Sequence, residues 1–130
     1  MRILGALAGA VLLALTTVSA ASAQDAKAGE KIFLKCRACH QVGETAKNGV
    51  GPKLNGLFGR KAGSIAGFNY SEANKGSNVT WTEEVFAQYI RDPKAFMPGN
   101  KMLFPGLKAD AEIANVAAFL KQFDADGKKK

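Results

Sequence analysis

Apolar positions along this chain fall into three regimes. From Ile3 to Val18 they run almost unbroken; after Asp25 they recur at helical spacing in three stretches; between those stretches glycine and polar residues take over. Asp25 is a helix N-cap by residue type, and Ala28, Ile32 and Phe33 fall at i, i+4 and i+5 behind it, one apolar stripe on a helix reaching about Cys36. Gly29 lowers helix propensity there, which marks either a close approach by another backbone or a frayed first turn. Thr80-Trp81-Thr82-Glu83 has the spacing of a capping box. The helix it opens runs to about Arg91, carries Val85, Phe86, Tyr89 and Ile90 on one face, and stops at Asp92-Pro93. Asp110 opens the clearest helix, with Ile113, Val116, Ala117 and Leu120 at i, i+3, i+4 and i+7, Phe119 and Phe123 widening the stripe, and Gly127 as the expected terminator.

Ser71 would cap a short helix to Lys75. Residues 41–70 hold Gly49, Gly51, Gly56, Gly59, Gly63 and Gly67 and no alternating run of strand length, so turns and irregular chain are expected there. A loop this long fits a compact domain only if it wraps a large ligand. The fold class is all-α: three main helices, short helices and long loops, without repeats or a low-complexity linker.

The first apolar regime follows Met1-Arg2 and ends at Ala21-Ser22-Ala23, small residues where a signal peptidase reads. About sixteen apolar residues fall short of the roughly twenty that span a bilayer, so residues 1–23 are read as a cleavable signal peptide rather than a retained membrane anchor. Residues 24–130 are then a single exported domain, expected in the periplasm as a monomer. The net charge of the whole chain is +7, and +6 without Arg2. A domain of this size benefits from a staple. Its basic excess suits an acidic protein face; nucleic acid is excluded as a partner by the missing motifs and by export. Lys128-Lys129-Lys130 reads as a solvated, frayed end.

Candidate chemistry is concentrated in Cys36-Arg37-Ala38-Cys39-His40, which holds both Cys and the only His of the chain. C-x-x-C-H is the pattern of covalent haem attachment: each thiol adds across one porphyrin vinyl group, and the imidazole ligates the iron. Three competing readings are weaker. A thioredoxin-like pair expects a βαβ setting, a zinc site normally needs more ligands than this chain offers, and a C-x-x-C disulfide closes too small a loop to stabilise much. The face of the iron opposite His40 needs a ligand if the protein carries electrons. Without a second His, Met is the natural candidate, and Met97 and Met102 both lie in one turn-rich loop. Residue chemistry alone does not choose between them.

Blocks along the whole mature chain carry a family resemblance: Gly29-Glu30-Lys31-Ile32-Phe33, the haem motif, 51–60 (Gly-Pro-Lys-Leu-Asn-Gly-Leu-Phe-Gly-Arg), Gly67-Phe68-Asn69-Tyr70, Ala73-Asn74-Lys75, Val79-Thr80-Trp81 and Pro98-Gly99-Asn100-Lys101-Met102. The chain resembles the class I cytochromes c, bacterial cytochrome c2 and mitochondrial cytochrome c among them. The resemblance implies one haem c bound through Cys36 and Cys39, with His40 and Met102 as axial ligands. It implies that Pro52 accepts the His40 Nδ1–H, that Tyr70 and Trp81 bond a haem propionate with Arg60 nearby, and that Tyr89 and Asn74 form a polar network on the Met side. Gly29 and Phe33 would cross the last helix near Val116, Phe119 and Leu120. Phe96 and Phe119 stand where mitochondrial relatives often have Tyr, and Asn55 replaces a common His, which puts that residue's bridging hydrogen bond in doubt.

The activity implied is one-electron transport, not enzymatic catalysis, in respiration or photosynthesis. Lys35, Lys47, Lys94, Lys101 and Lys108 resemble the family's lysine ring. They would dock a cytochrome bc1-type quinol–cytochrome c reductase and an oxidase or photosynthetic reaction centre. The rival reading is an open-site haem protein, peroxidase-like or gas-binding, with the Met displaced.

Overall fold

The computed structural model describes residues 24–130; the expected signal segment, residues 1–23, lies outside the described residues. The described helices are α1 (Ala26–Phe33), α2 (Glu72–Lys75), α3 (Glu83–Arg91), α4 (Pro93–Phe96) and α5 (Asp110–Lys121). Among the described residues, extended chain pairs only at isolated bridges, Lys61 with Thr80 and Phe123 with Lys129. The fold is all-α, and α1, α3 and α5 are the three main helices the apolar spacing predicts.

The crossing of α1 on α5 is the frame. A Cβ on Gly29 would lie 1.8 Å from Asn115 O and 2.9 Å from Phe119 Cβ, so the glycine lets two backbones touch. Of the two readings of Gly29, close approach is the correct one. Around that contact Phe33 meets Phe119 with ring centroids 5.2 Å apart, and Phe33, Val116 and Leu120 are among the most deeply buried side chains. Asp25 caps α1 by accepting from the amides of Lys27 and Ala28, while its own N–H donates to Asn115 Oδ1. α3 lays Phe86, Tyr89 and Ile90 into the same core, and Glu83 at its start pairs with Lys121 of α5 at 3.0 Å.

Several element boundaries differ from the sequence expectation. α1 ends at Phe33, and the chain continues to His40 in tight turns. The cap of α3 is Thr82, whose hydroxyl accepts from Val85 N at 3.1 Å; Thr80 is held instead in the bridge to Lys61. A hydroxyl two residues nearer the helix wins because residues 79–81 are already paired, Ala62 N donating to Val79 O and Trp81 N to Arg60 O. Asp92 does stop α3, but its carboxylate also caps α4, with Pro93 at the first helical position where its missing N–H is no loss. Gly127 does not terminate α5. That helix ends at Lys121, and Gly127, at φ +80°, turns a C-terminal segment that is folded rather than frayed.

A Gly29→Ala substitution is expected to destabilise the haem-loaded protein by at least about 2 kcal/mol, because the methyl meets backbone that cannot swing away. Urea unfolding followed by tryptophan fluorescence measures it.

Candidate functional site

The turns after α1 deliver the motif. Cys36 N donates to Phe33 O at 2.8 Å and His40 N to Cys36 O at 2.9 Å, so both thiols and the imidazole emerge directly from the helix end. The thiols are free and half-buried. Burial pushes the Cys36 thiol up to about 11, with Cys39 adding to the rise and Lys35 opposing it. A C-x-x-C redox pair needs the opposite shift. Among the described residues no three His, Cys, Asp or Glu side chains converge to hold a metal ion. The raised Cys36 thiol does not suit the thiol–disulfide reading.

His40 is gripped by the loop that follows. Its Nδ1 lies 2.7 Å from Pro52 O. A carbonyl only accepts, so Nδ1 carries the proton and Nε2 keeps a free lone pair. Gly51 lies flat against the ring; a Cβ there would come 2.4 Å from His40 Cε1. Burial lowers the pKa of His40, the Pro52 bond partly opposes this, and Arg60 lowers it further. The imidazole is neutral at neutral pH, the state a metal requires.

The two methionines separate clearly. Met97 is a core residue, 4% exposed, at the end of α4. Met102 is half-buried, and its sulfur accepts a hydrogen bond from the Tyr89 hydroxyl at 3.4 Å. Burial pushes Tyr89 up to about 12, so the phenol stays a donor. Asn100 shapes the approach: its amide donates to Pro93 O and Met97 O and accepts from Met102 N at 2.8 Å. Downstream, Leu107 N donates to Ile90 O and the Lys108 ammonium to Arg91 O, which ties the loop's far end to the C-terminus of α3.

A second group lies beside the 41–70 loop. Arg60 Nη1 donates to Lys53 O and Asn55 O, but its Nε is buried without a partner, and the guanidinium faces no carboxylate in the ion pairs of the described residues. Burial lowers its pKa, with Tyr70 acting in the opposite direction. Tyr70 is buried, and its oxygen accepts from Ile65 N, leaving the hydroxyl proton to donate. Trp81 is buried edge-on to Tyr89, centroids 4.9 Å apart. Asn74 Oδ1 is buried without a partner. The network expected on the Met side thus joins Tyr89 to Met102 but not to Asn74. Asn55 bonds both Gly43 N and Gly43 O at 2.9 Å.

The five lysines are not equivalent. Lys47, Lys94 and Lys101 are exposed without an ion pair among the described residues, and Lys35 pairs with Glu112 at 3.6 Å. Lys108 is exposed but engaged, its ammonium donating to Arg91 O and Pro105 O. Sequence reasoning missed the apolar neighbours of these lysines: Leu103 is 100% and Val50 78% exposed. The available signal was an aliphatic residue directly after Met102 in a loop rich in Pro and Gly.

An all-α shell that presents C-x-x-C-H at a helix end, with a neutral, gripped His and a hydrogen-bonded Met on a separate loop, defines a c-type cytochrome of class I. The Cytochrome c family model matches residues 26–124, and the chain belongs to that family. Cytochrome c2 of Blastochloris viridis is 58% identical over 114 residues, covering 88% of this chain and 90% of that protein. Cytochrome c-550 of Nitrobacter winogradskyi is 56% identical over 106 residues, 82% of this chain and 97% of the relative. The solved cytochrome c2 from Rhodospirillum Centenum superposes with a TM-score of 0.74 at 40% identity, covering 77% of this chain and 98% of that one. The chain is thus an electron-transport cytochrome with a single covalently bound haem c. Its residues fit that group: the unpartnered Arg60 Nε and the free Tyr70 proton are donors suited to a carboxylate, and His40 offers one lone pair.

Gly51→Ala is expected to force the His40 ring and Pro52 O apart. Thermal unfolding of the haem-loaded protein should begin at least about 5 °C lower, the shift that a loss near 1 kcal/mol produces in a domain of this size.

Proposed function

We propose that this protein is a soluble periplasmic one-electron carrier whose iron is held by His40 from one face and Met102 from the other. The observation carrying this reading is the Tyr89–Met102 hydrogen bond, because it gives a methionine sulfur at the edge of the core, on an anchored loop, a polar partner. Residues 1–23 act as the export signal, removed after Ala23.

Haem c supplies a one-electron couple, and thioether ligation and burial both favour the reduced form. The chain does the rest. Cys36 and Cys39 anchor the porphyrin, and Pro52 fixes the His40 tautomer. Tyr89 holds the Met102 sulfur in place, and by drawing density from it weakens donation to the oxidised metal. Arg60, Tyr70 and Trp81 line the propionate side, and Asn74 stands with Tyr89 on the Met side. With His40 and Met102 both holding the iron, no site would be left for a substrate, and the protein would act as a carrier rather than as an enzyme.

Docking uses Lys35, Lys47, Lys94 and Lys101, with Lys108 contributing field rather than a free ammonium. They steer the protein onto acidic faces of a bc1-type reductase and of an oxidase or photosynthetic reaction centre. Leu103 and Val50 give such a surface apolar area to desolvate once the charges have aligned it.

Visible spectra of the oxidised and reduced protein test the ligation. A low-spin haem with the weak red Met-to-iron band is expected; a high-spin spectrum that shifts at once with CO or cyanide would support the open-site rival. Met102→Ala should abolish the red band and admit CO immediately. Met97→Ala should keep the band and lower stability by about 2–5 kcal/mol, as core truncation does. The rate of reaction with an acidic redox partner should fall steeply as salt rises. Salt-independent rates would remove the lysine surface from the reading.

A further inference from the structure

The residues after α5 behave least like a chain end. The Asp124 carboxylate accepts the N–H groups of Asp126 and Lys128, both at 2.9 Å, and Gly127 at φ +80° reverses the chain. Asp124 N then donates to Lys128 O at 2.9 Å and Lys130 N to Gln122 O at 2.8 Å, while Phe123 bridges Lys129. The result is a small hairpin over residues 122–130.

This hairpin leans on the neck of another loop. Gly127 is buried against Gly43: a Cβ there would lie 2.1 Å from Gly43 O and 2.7 Å from Asn55 Nδ2. Gly56 N donates to Phe123 O at 3.2 Å, and a Cβ on Gly56 would lie 2.9 Å from Ala125 Cα. The same neck is closed from within by the Asn55 amide on Gly43 and by Leu54 N donating to Gln41 O at 3.0 Å. Inside it sit Gly51 and Pro52, the residues that grip His40.

We propose that the C-terminal hairpin, residues 122–130, is a clasp that positions His40 by keeping the neck of the 41–56 loop closed. Opening the neck would separate Asn55 from Gly43, and the hairpin covers that pair, so the loop cannot loosen without peeling the hairpin away. Asn55 is 4% exposed, and a buried amide tie shielded from water resists exchange with solvent partners. The bond from His40 Nδ1–H to Pro52 O enriches the ring and makes it a stronger donor to oxidised metal. A loosened clasp therefore yields a weaker ligand and a higher potential. The lysine charges are not the main agent: Lys128, Lys129 and Lys130 are all exposed, and the contact of Lys129 with the Phe123 ring, 5.8 Å from its centroid, is a surface contact worth little beside the backbone bonds. Backbone and glycine do the holding.

This inference rests on His40 being an iron ligand, and the test separates the two claims. Three variants of the haem-loaded protein are compared with the parent: a chain ending at Phe123, Gly127→Val, and the triple Lys128→Gln/Lys129→Gln/Lys130→Gln. Amide exchange at Gly43, Gly51 and Leu54, exchange of the His40 Nδ1 proton by NMR, the midpoint potential and the red Met band are read. Truncation and Gly127→Val should each speed exchange at these sites by about tenfold or more and raise the potential with the Met band intact, the signature of local opening. The triple variant should match the parent. Parent-like exchange or an unmoved potential in both the truncated chain and Gly127→Val overturns the clasp, as does reproduction of their effects by the lysine changes alone. If truncation prevents folding, Gly127→Val decides. A parent protein whose His40 proton shows no coupling to the iron overturns the ligand reading, and the clasp with it, before any variant is made.

Discussion

The haem-attachment motif is placed by one contact in which a side chain would not fit. At Gly29 the backbone of α1 rests on the backbone of α5, and the approach leaves no room for even a methyl group. Because Cys36 to His40 leave α1 within two tight turns, the position of that crossing sets where both thiols and the imidazole stand. The aromatic contact of Phe33 with Phe119, continued to Phe123 at 5.3 Å, then fills the space around it. A small core becomes sufficient because two helices share it at minimum separation.

The two candidate iron ligands are held by different means. His40 is fixed through hydrogen bonding and flat contact by a glycine-rich loop with little regular structure. Met102 sits on a shorter span tied at each end, by Asn100 on one side and by the C-terminal carbonyls of α3 on the other, with Tyr89 reaching its sulfur between them. Side-chain amides do much of this work: Asn48 and Asn55 tie irregular chain that has no helix or sheet to satisfy it, and Asn100 links Met102 N to Pro93 O of α4.

Much of this was legible in the sequence. The three long helices followed from spacing of three and four, and C-x-x-C-H is specific enough to name the cofactor. Pro52 and Tyr89 came from the family resemblance; Pro52 O lies 2.7 Å from His40 Nδ1, and the Tyr89 hydroxyl donates to the Met102 sulfur. What failed, failed for local reasons. Thr80 has the right type and offset for a cap, but a pairing with Lys61, far away in sequence, claims it first. Lys128 to Lys130 look like a frayed tail because composition cannot show that Gly127 meets Gly43. Each miss is a contact across a wide gap in the chain.

Asp92 ends α3 and begins α4 with no residue to spare between them. An elbow of that kind has a fixed length: one added residue at 91–93 would rotate α4 and move the Asn100 anchor with it. The exposed turn at Ser64 to Gly67 has no such obligation, since Ile65 and Ala66 each offer only a single backbone group to a neighbour's side chain. Evolutionary change in chain length should therefore collect at that turn and spare the elbow, leaving the spacing from Arg91 to Met102 as a ruler shared by proteins that have otherwise diverged.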